Sequence, residues 1–374
     1  TAMSKAVYLD YNATAPIHQQ VVEAMAAVMT AGGNPSSVHQ SGRTARNRVE
    51  EARAALAGLI NCKSPEIIFT SGGTEANNFA LSTAGDRPLF ISATEHDSVL
   101  AAAGEAAVRL PVDSHGILNL DVLRAALAAA ETPAFVSVML ANNETGVIQP
   151  IRAIAEIVHE QDGLLHCDAI QAVGKIPVDF NELGVEMMSV SAHKFGGPQG
   201  IGALVLREGL AVPAFIRGGG QELGRRAGTE NVAAIAGLGV AARTAEKIIA
   251  QGEAIAALRD EMEARIRDLS PASRIYGGTV PRLPNTSSIE MPGVPAELQV
   301  MSFDLDGFAV SAGSACSSGK VKASHVLKAM GASEEEAGTA IRISLGWRTT
   351  AADIDAFIDS WRKLYKRKSP KFAA

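Results

Sequence analysis

A lysine followed by glycines stands directly after an apolar run of the kind that forms a buried strand. Lys194 comes four positions after residues 187–190 (MMSV) and precedes two consecutive glycines. Lysine prefers water, so a lysine between buried segments is unusual. Partial burial favours the neutral amine, a nucleophile suited to Schiff-base chemistry. Ser191 and His193 beside it can donate hydrogen bonds to a phosphate. A surface lysine in a glycine-rich turn is the alternative interpretation.

A second group of residues has the composition of an anion-binding turn. Residues 70–75 (TSGGTE) end a predicted strand and open a predicted helix. Glycines such as Gly73 let the backbone approach an anion, and the N–H groups and dipole of a helix N-terminus favour phosphate. The Thr74 hydroxyl adds a donor. The turn is not a Walker A loop, because no Gly-Lys-Ser/Thr follows. A plain strand–helix turn is the alternative.

A carboxylate occupies the end of another predicted strand. Asp168 closes residues 164–168 (LLHCD), and Gln171 lies three positions further on. Taken alone, Asp168 is better explained as the N-cap of the following helix. A phosphate cradle, a carboxylate and a lysine, each at a strand end, together match the needs of pyridoxal 5′-phosphate. The lysine holds the aldehyde, the carboxylate keeps the pyridine nitrogen protonated, and the cradle anchors the phosphate.

The elements that must position these residues are short apolar runs alternating with helical patterns. Strands are predicted at residues 66–70, 89–93, 135–140, 164–167 and 187–190, and helices at residues such as 120–130 and 151–161. Such alternation predicts a mostly parallel sheet covered on both faces. In sheets of this kind the chemistry gathers at the carboxyl ends of the strands.

A long predicted helical stretch, residues 231–269, leads to a second region rich in proline. Four prolines within fifteen residues break helices and mark loops around a predicted strand at 286–291. Further elements are predicted as follows: a helix at 296–305, a strand at 308–311, a helix from Ser324, a strand at 340–345 and a helix from Ala351. We therefore expect a large domain at residues 15–259 and a small α+β domain formed by residues 1–14 and 260–374.

The composition is that of an ordinary soluble globular enzyme. The chain has 374 residues, of which 47% are hydrophobic and 20% charged, and its formal net charge is -6. That balance argues against a nucleic-acid or anionic-membrane partner. No membrane span and no signal peptide are expected, because no long apolar run occurs. Three scattered cysteines without a C-x-x-C pair argue against a metal site or a disulfide framework and favour a cytoplasmic compartment.

Seven motifs spread along nearly the whole chain resemble those of the cysteine desulfurases of the NifS and IscS type. They are residues 95–96 (EH), 142–146 (NNETG), 166–171 (HCDAIQ), 191–194 (SAHK), 226–231 (RAGTEN), 311–316 (SAGSAC) and 341–346 (IRISLG). These enzymes belong to the class V aminotransferase group and use pyridoxal phosphate. The resemblance implies the aspartate aminotransferase fold (fold type I): a large α/β domain with a mostly parallel, seven-stranded sheet, plus a smaller α+β domain that carries the catalytic cysteine loop.

The resemblance also implies a role for each matching residue. Lys194 would bond covalently to pyridoxal 5′-phosphate, Asp168 would pair with its ring nitrogen, and Gln171 would bond its ring hydroxyl. His96 would stack on the ring and move protons. The implied cofactor-binding set is Gly73, Thr74, His96, Asn143, Asp168, Gln171, Ser191, His193, Lys194 and Thr229.

Two further roles concern the substrate and the second subunit. Asn143 and Arg342 would contact the L-cysteine substrate, with Arg342 gripping its carboxylate through two parallel hydrogen bonds. The cofactor phosphate would be held by Gly73, Thr74, Ser191 and His193 of one chain. Thr229 would reach the same phosphate from the other subunit, so the resemblance implies a homodimer.

Cys316 differs from the other two cysteines in its neighbours. It lies in residues 313–319 (GSACSSG), which are too small to pack a core, whereas Cys62 and Cys167 are interpreted as small buried hydrophobes. An exposed thiol on a mobile loop suits attack on a substrate and delivery of the product. The resemblance implies the same residue as the persulfide carrier. The implied reaction converts L-cysteine to L-alanine and leaves its sulfur on Cys316.

The sulfur acceptor and three rival activities stay open at this point. The chain stops at Ala374, where housekeeping relatives have a longer tail that helps dock an iron–sulfur scaffold. The acceptor could therefore be a scaffold for iron–sulfur assembly, a thiolation protein or another carrier. The rivals are action on selenocysteine or cysteine sulfinate, an ordinary class V aminotransferase in which Cys316 is incidental, and a non-catalytic partner of another subunit.

Overall fold

The computed structural model describes residues 6–313 and 323–368 as an α/β fold with a large and a small sheet. The strands are β1 Val7–Tyr8, β2 Ile67–Thr70, β3 Leu89–Ser92, β4 Val108–Leu110, β5 Phe135–Met139, β6 Leu164–Asp168, β7 Met187–Ser191, β8 Gly202–Leu206, β9 Ile275–Tyr276, β10 Thr286–Glu290, β11 Phe308–Ala309, β12 Ser311–Ala312 and β13 Ala340–Ser344. The helices are α1 Gln19–Ala31, α2 Gln40–Ile60, α3 Gly73–Ser82, α4 Asp97–Ala103, α5 Leu120–Ala128, α6 Ile151–His159, α7 Phe180–Leu183, α8 Val232–Ile249, α9 Gly252–Leu269, α10 Ala296–Leu305, α11 His325–Ala329, α12 Glu334–Gly338 and α13 Ala351–Lys368. None of these helices combines the length and apolar composition needed to cross a membrane.

The large sheet has seven strands in the order β2-β8-β7-β6-β5-β3-β4. Strands β3 to β7 run parallel to one another, and only β8 runs antiparallel to both of its neighbours, β7 and β2. The prediction of a mostly parallel sheet is therefore confirmed. Two of its strands, β4 and β8, are not predicted from the sequence. For β8 the reason is that it follows glycines and Pro198, which are typical of loops.

Residues of the large sheet alternate between two hydrophobic clusters, one on each face. In β2, Ile67 and Phe69 belong to the first cluster and Ile68 to the second. Leu56 of α2 covers the first face, and Phe79 of α3 covers the second. Successive strand side chains point to opposite faces, so a strand covered by helices on both sides is apolar throughout. Polar side chains are then left to the strand ends.

The predicted helical stretch at residues 231–269 is wrong in one respect, because two helices occupy it. Helix α8 ends at Ile249, and α9 begins at Gly252 after Gln251, its N-cap residue. Glycine is a poor helix former, so continuing one helix through this position is unfavourable. The break leaves α8 packed on α1 and α2, while α9 packs on α13 and β10.

The small sheet contains four antiparallel strands in the order β12-β13-β10-β9, and β1 pairs with β11 beside it. The predicted single strand at 308–311 is wrong, because β11 and β12 join different sheets on either side of Val310. A separate hydrophobic cluster contains Trp361, Met262 and Ile343 together with Leu9. The N-terminal segment therefore packs with the C-terminal region.

Candidate active site

A cavity of about 530 Å³ opens at the carboxyl ends of β5, β6 and β7. Met139, Asp168 and Ser191 are the last residues of these strands, and all three line it. Crevices at this edge of a parallel sheet are the usual place for ligands. The cavity lining includes ten residues predicted for the site: Gly73, Thr74, His96, Asn143, Asp168, Gln171, Ser191, His193, Lys194 and Arg342.

Asp168 is buried at the end of β6 and held by two hydrogen bonds. Its Oδ2 accepts from Asn77 Nδ2 at 2.7 Å, and its Oδ1 accepts from the backbone N–H of Ile170 at 3.0 Å. Burial raises the pKa of Asp168, while these two bonds and the charges of His96 and Lys194 oppose the rise. The carboxylate is thus rigidly placed and faces a cavity where a cationic ring nitrogen would stabilise it.

His96 caps the N-terminus of α4 through its ring. Its Nδ1 accepts from the backbone N–H of Ser98 at 3.1 Å and lies 2.8 Å from the Ser98 hydroxyl. The neutral ring therefore carries its proton on Nε2. Asn77 Nδ2 also donates to the Ser98 hydroxyl at 2.9 Å, which ties His96 and Asp168 into one network. Both side chains keep a defined orientation at the cavity.

Lys194 lies in the short 3₁₀ helix Ala192–Lys194, directly after β7. Its Nζ donates to the backbone oxygens of Asn12 at 2.7 Å and Ala13 at 2.9 Å. Both acceptors belong to the N-terminal segment, so the amine connects that segment to the end of the large sheet. Neither of these two acceptors is a carboxylate.

The predicted phosphate cradle surrounds the start of α3. A Cβ built on Gly73 would lie 2.2 Å from Cδ1 of Ile170, so glycine is the residue that lets the Ile170 side chain pack against the start of α3. Thr74 and Ser191 add hydroxyl groups to the lining. Burial and the charge of Lys194 lower the pKa of His193 to about 4, so its ring is neutral at pH 7, and its N–H can donate a hydrogen bond to an anion.

Arg342 projects from β13 into the opposite side of the cavity. Its Nη2 donates to Asp10 Oδ1 at 2.8 Å, and its Nη1 donates to the backbone oxygen of Asn143 at 3.1 Å. The Ser311 hydroxyl donates to the other oxygen of Asp10 at 2.8 Å. Nε of Arg342 is buried and finds no acceptor among the residues that the structure describes. The guanidinium therefore retains donor capacity for an incoming carboxylate.

Asn12 is a site residue that the sequence does not single out by itself. Its backbone oxygen accepts from Lys194 Nζ and from Gln171 Nε2 at 2.9 Å. Its side-chain Nδ2 donates to the backbone oxygen of Asn143 at 3.1 Å, and its Oδ1 accepts from Lys175 Nζ at 2.7 Å. One residue of the N-terminal segment thus contacts Lys194, Gln171 and Asn143, which all line the cavity. The available signal is its place in residues 9–14 (LDYNAT).

Glu144 is a second residue missed by sequence reasoning. It is buried, and its Oε2 accepts from the Ser324 hydroxyl at 2.5 Å. A Cβ built on Gly313, which lines the cavity, would lie 2.3 Å from the same oxygen. Gly313 and Ser324, which lie on either side of residues 314–322, are therefore both close to Glu144. Cys316, the predicted sulfur carrier, lies outside the described residues.

The other two cysteines are poor nucleophiles. Burial raises the pKa of Cys62 to about 12, with the charge of Glu66 adding to the effect. Cys167 is fully buried, and burial raises the pKa of its thiol well above the usual range. A thiol attacks as the thiolate, so neither residue is suited to nucleophilic chemistry at pH 7.

Thr229 is the described site residue that the fold does not bring to the cavity. It is exposed and lies in a separate depression together with Ser71 and Arg226. Arg226 Nε forms an ion pair with Glu75 Oε1 at 2.8 Å, which holds this loop against α3. A role for Thr229 in its own chain's cavity is therefore excluded by its position, and the predicted role across a dimer stays a prediction.

Comparisons with known proteins give one consistent picture. The family model described as aminotransferase class-V matches residues 7–357. A protein named cysteine desulfurase IscS from Dictyoglomus turgidum is 42% identical over 98% of this chain and 96% of its own. A cysteine desulfurase from Cereibacter sphaeroides is also 42% identical, over 94% of each chain.

Solved structures agree with these sequence relatives. A NifS-like protein from Rickettsia africae superposes with a TM-score of 0.90 at 38% identity, covering 96% of this chain and 99% of the other. A structure described as SspA in complex with cysteine gives a TM-score of 0.78 at 30% identity, covering 91% and 99%. The likeness extends over both sheets.

Proposed function

Because this chain belongs to the class-V aminotransferase family, as one of its cysteine desulfurases, we propose that Lys194 holds its cofactor and Cys316 carries its sulfur. One observation supports the proposal above all: Lys194, Asp168 and Arg342 share a single cavity. A small amino acid substrate must meet a cofactor-bearing lysine, an electron-withdrawing ring and a carboxylate-binding group at once. In this cavity Lys194 can hold the cofactor, Asp168 can pair with its ring, and Arg342 can bind the substrate carboxylate.

The residues of the cavity fit pyridoxal 5′-phosphate. When bound, this cofactor supplies an aldehyde that bonds to amines and a protonated ring that withdraws electrons from the substrate Cα. Lys194 would hold the aldehyde and Asp168 the ring nitrogen, with His96 over the ring and Gln171 at its hydroxyl. The phosphate would accept hydrogen bonds from the remaining donors of the cavity: Gly73, Thr74, Ser191 and His193. Gly73 is the first residue of α3, and the N–H groups of a helix N-terminus favour a phosphate.

Arg342 and Asn143 bind the substrate L-cysteine in this proposal. Arg342 has a buried Nε without an acceptor among the described residues, and its Nη atoms are oriented by Asp10 and Asn143. A carboxylate can accept two parallel bonds from such a fork. Orientation by neighbours lowers the entropy lost on binding. The substrate Cα is then held near Lys194.

Proton transfer is assigned to Lys194 and His96. Nζ of Lys194 takes the Cα proton. Lys194 lines the cavity and follows directly after β7. His96 can deliver a proton from Nε2 to the cavity when its ring is protonated, with the Nδ1 proton then directed at the Ser98 hydroxyl 2.8 Å away, and the ring is left neutral. Proton transfer from groups fixed in this way contributes about 10²- to 10⁴-fold to rates.

Cys316 is proposed as the nucleophile that removes sulfur. Its thiolate attacks the substrate sulfur, so an S–S bond forms while the substrate Cβ–S bond breaks. The electron pair of that bond stays with the carbon fragment, which gains a proton and leaves as L-alanine. Two observations support this choice: Cys62 and Cys167 have raised pKa values, and Gly313, three residues before Cys316, lines the cavity.

A homodimer is proposed to complete the phosphate site. Thr229 is exposed, and its hydroxyl lies outside its own chain's cavity. Residues near it have a constrained backbone, since Glu222 and Leu223 adopt positive φ angles of 46° and 57°. Strain of this kind persists where surrounding structure enforces it. A partner chain seated here would receive Thr229 at its own phosphate.

The acceptor, the compartment and the domain division complete the proposal. The acceptor is a sulfur-receiving protein, with an iron–sulfur scaffold as the first candidate because several relatives are named IscS. The compartment is the cytoplasm, in keeping with three scattered cysteines.

The large domain is residues 15–259 and the small one residues 1–14 and 260–374, which agrees with the separate hydrophobic clusters around Leu238 and Trp361.

The proposal is tested by turnover of L-cysteine in the presence of a reductant. The expected result is one alanine for each sulfide released, together with visible absorbance from a cofactor bound to Lys194. Mass spectrometry of the peptide containing Cys316 should show a gain of one sulfur after a single turnover without reductant. Alanine formation with no sulfur on Cys316 would contradict the proposed carrier. Turnover that requires a keto acid would indicate an aminotransferase instead.

A further inference from the structure

Lys175 is a buried lysine without a carboxylate partner among the described residues. It lies four positions after Gln171, and only 8% of its surface is exposed. Its Nζ donates to the side-chain oxygen of Gln171 at 2.5 Å and to that of Asn12 at 2.7 Å. Buried lysines are normally paired with an acid. This one is instead directed at two neutral amides beside the cavity.

The two acceptors match the hydrogens of a neutral amine. An uncharged lysine amine carries two hydrogens, and both are used by Gln171 and Asn12. Burial lowers the pKa of Lys175 well below its usual range, and the charges of Lys194 and Arg342 lower it further. The arrangement therefore needs no counter-charge. Because the Lys175 amine donates to both side chains, each amide turns its oxygen, Oε1 of Gln171 or Oδ1 of Asn12, toward Nζ.

The two amides depend on Lys175 to different degrees. Asn12 keeps its orientation without it, because Oδ1 also accepts from Asn285 Nδ2 at 3.1 Å and Nδ2 donates to Thr286 Oγ1 at 2.9 Å. Gln171 has one bond at each end of its amide: in the described part of the chain, Lys175 is the one donor to its Oε1, and its Nε2 donates to the backbone oxygen of Asn12 at 2.9 Å. Removing the amine would leave the orientation of the Gln171 amide to that single bond and would leave its buried Oε1 without a donor.

We propose that Lys175 is a positioning residue that fixes the Gln171 amide with its NH₂ group, and not its oxygen, toward the cavity. With Oε1 held by Lys175, Nε2 donates one hydrogen to the backbone oxygen of Asn12 at 2.9 Å. The second hydrogen remains for a ligand oxygen. The inference rests on the proposed function, in which that oxygen is the ring hydroxyl of pyridoxal phosphate. A turned amide would present a carbonyl to an oxygen that needs a donor.

The test is a double-mutant cycle on cofactor affinity. Lys175→Met keeps the length of the side chain and removes its donors, and Gln171→Leu removes the amide. Apoenzyme of each variant and of the double variant is titrated with pyridoxal 5′-phosphate, and thermal unfolding of the apoenzyme is recorded. Lys175→Leu, which also lacks a donor, replaces the Met variant if the latter does not fold.

Lys175→Met is expected to weaken cofactor binding about tenfold in the parent and less than about twofold in the Gln171→Leu background. The pH at which the bound cofactor's visible band changes should move upward, because the ring oxygen loses a donor that stabilises its anion. Equal losses in both backgrounds, or parental affinity in Lys175→Met, would overturn the inference. Failure of the proposed function is recognised separately, because the parent protein would then bind no pyridoxal 5′-phosphate.

Discussion

Two buried carboxyl groups, Glu95 and Asp168, lie close enough to influence each other's ionisation. Burial raises the pKa of Glu95 well above its usual range, and the charge of Asp168 raises it further. Glu95 has the N–H of Met139 as a donor at 2.7 Å, but its Oε2 has no partner among the described residues. Asp168 instead accepts two hydrogen bonds, and the charge of Lys194 also favours its anion. The environments therefore place the proton on Glu95 and leave Asp168 as the anion.

Asp168→Asn is expected to slow alanine formation by about 100-fold or more, because an amide cannot stabilise a protonated ring nitrogen by charge. Glu95→Gln is the matched control, since an amide resembles the protonated acid that we assign to Glu95. It should retain activity within about threefold. Single-turnover measurements of alanine separate the two variants. An active Asp168→Asn enzyme would contradict the role of its charge.

Lys194→Ala removes the amine that holds the cofactor and moves the Cα proton. Alanine formation from L-cysteine should become undetectable, and pyridoxal phosphate should be lost on gel filtration, where the parent retains it. The two hydrogen bonds to Asn12 and Ala13 also disappear. Absorbance of the filtered protein and an alanine assay give the result. Near-parental alanine release would remove Lys194 from the mechanism.

Cys316→Ser should abolish sulfur transfer while leaving cofactor binding intact. A serine hydroxyl is barely ionised at neutral pH and attacks sulfur poorly, so alanine formation should fall at least about 100-fold. Cys62→Ala and Cys167→Ala serve as controls, because neither thiol is ionised near pH 7. They should keep near-parental rates, with some loss of stability at Cys167. A Cys316→Ser enzyme that makes alanine at the parental rate would refute the assignment.

At the scale of elements, the site depends on where strands stop and helices start. Strands β5 and β7 are buried along their whole lengths and β6 from its second residue onward, and each of the three ends at a residue that lines the cavity. Helix α3 begins beside them, with Gly73 as its first residue. The close contact between Gly73 and Ile170 joins the start of α3 to the segment after β6. The predicted cradle and the carboxylate are therefore positioned together.

Gly73→Ala is expected to weaken pyridoxal phosphate binding by tenfold or more, on the order of 1.4 kcal/mol. The new methyl group would lie 2.2 Å from Ile170 Cδ1, so Ile170 must move toward the cavity. Gly58→Ala in α2 is the control, because a Cβ there meets nothing within 4 Å. It should leave affinity unchanged and raise the unfolding temperature slightly. Equal affinities of the two variants would argue against the cradle.

At the scale of the whole molecule, residues far apart in sequence meet at one cavity. Asp10 and Arg342 are separated by 332 positions, and their ion pair joins the N-terminal segment to β13. Asn12 connects the same segment to Lys194 and Lys175. The N-terminal segment therefore closes the site between the two sheets. Variants in it should affect substrate binding as well as stability.

A shared active site predicts complementation between two inactive variants. Lys194→Ala supplies an intact Thr229, and Thr229→Ala supplies an intact Lys194, so one of the two sites in a mixed dimer regains both residues. Random mixing should restore about a quarter of parental activity, because half of the dimers are mixed and each has one good site. Alanine assays after co-refolding provide the measurement. A fully active monomer on a sizing column would contradict the shared site.

The sequence by itself determined the chemistry and its order along the chain. Apolar runs predicted β2, β3, β5, β6 and β7 because strands buried on both faces must be apolar, and polar residues at their ends marked the site. Lys194, Asp168 and Gly73 stood out for the same reason. Their types and neighbours are local properties, so local patterns suffice to find them. Resemblance to a family then supplied roles that spacing alone left open.

Only the tertiary structure decided how those residues are held and charged. The antiparallel insertion of β8, the break between α8 and α9, and the pairing of Asp10 with Arg342 depend on contacts between distant segments. The protonation of Glu95 and the two amides held by Lys175 depend on burial, which no single segment encodes. Desolvation and long-range hydrogen bonds arise when the chain closes on itself, and they set the chemistry of the site.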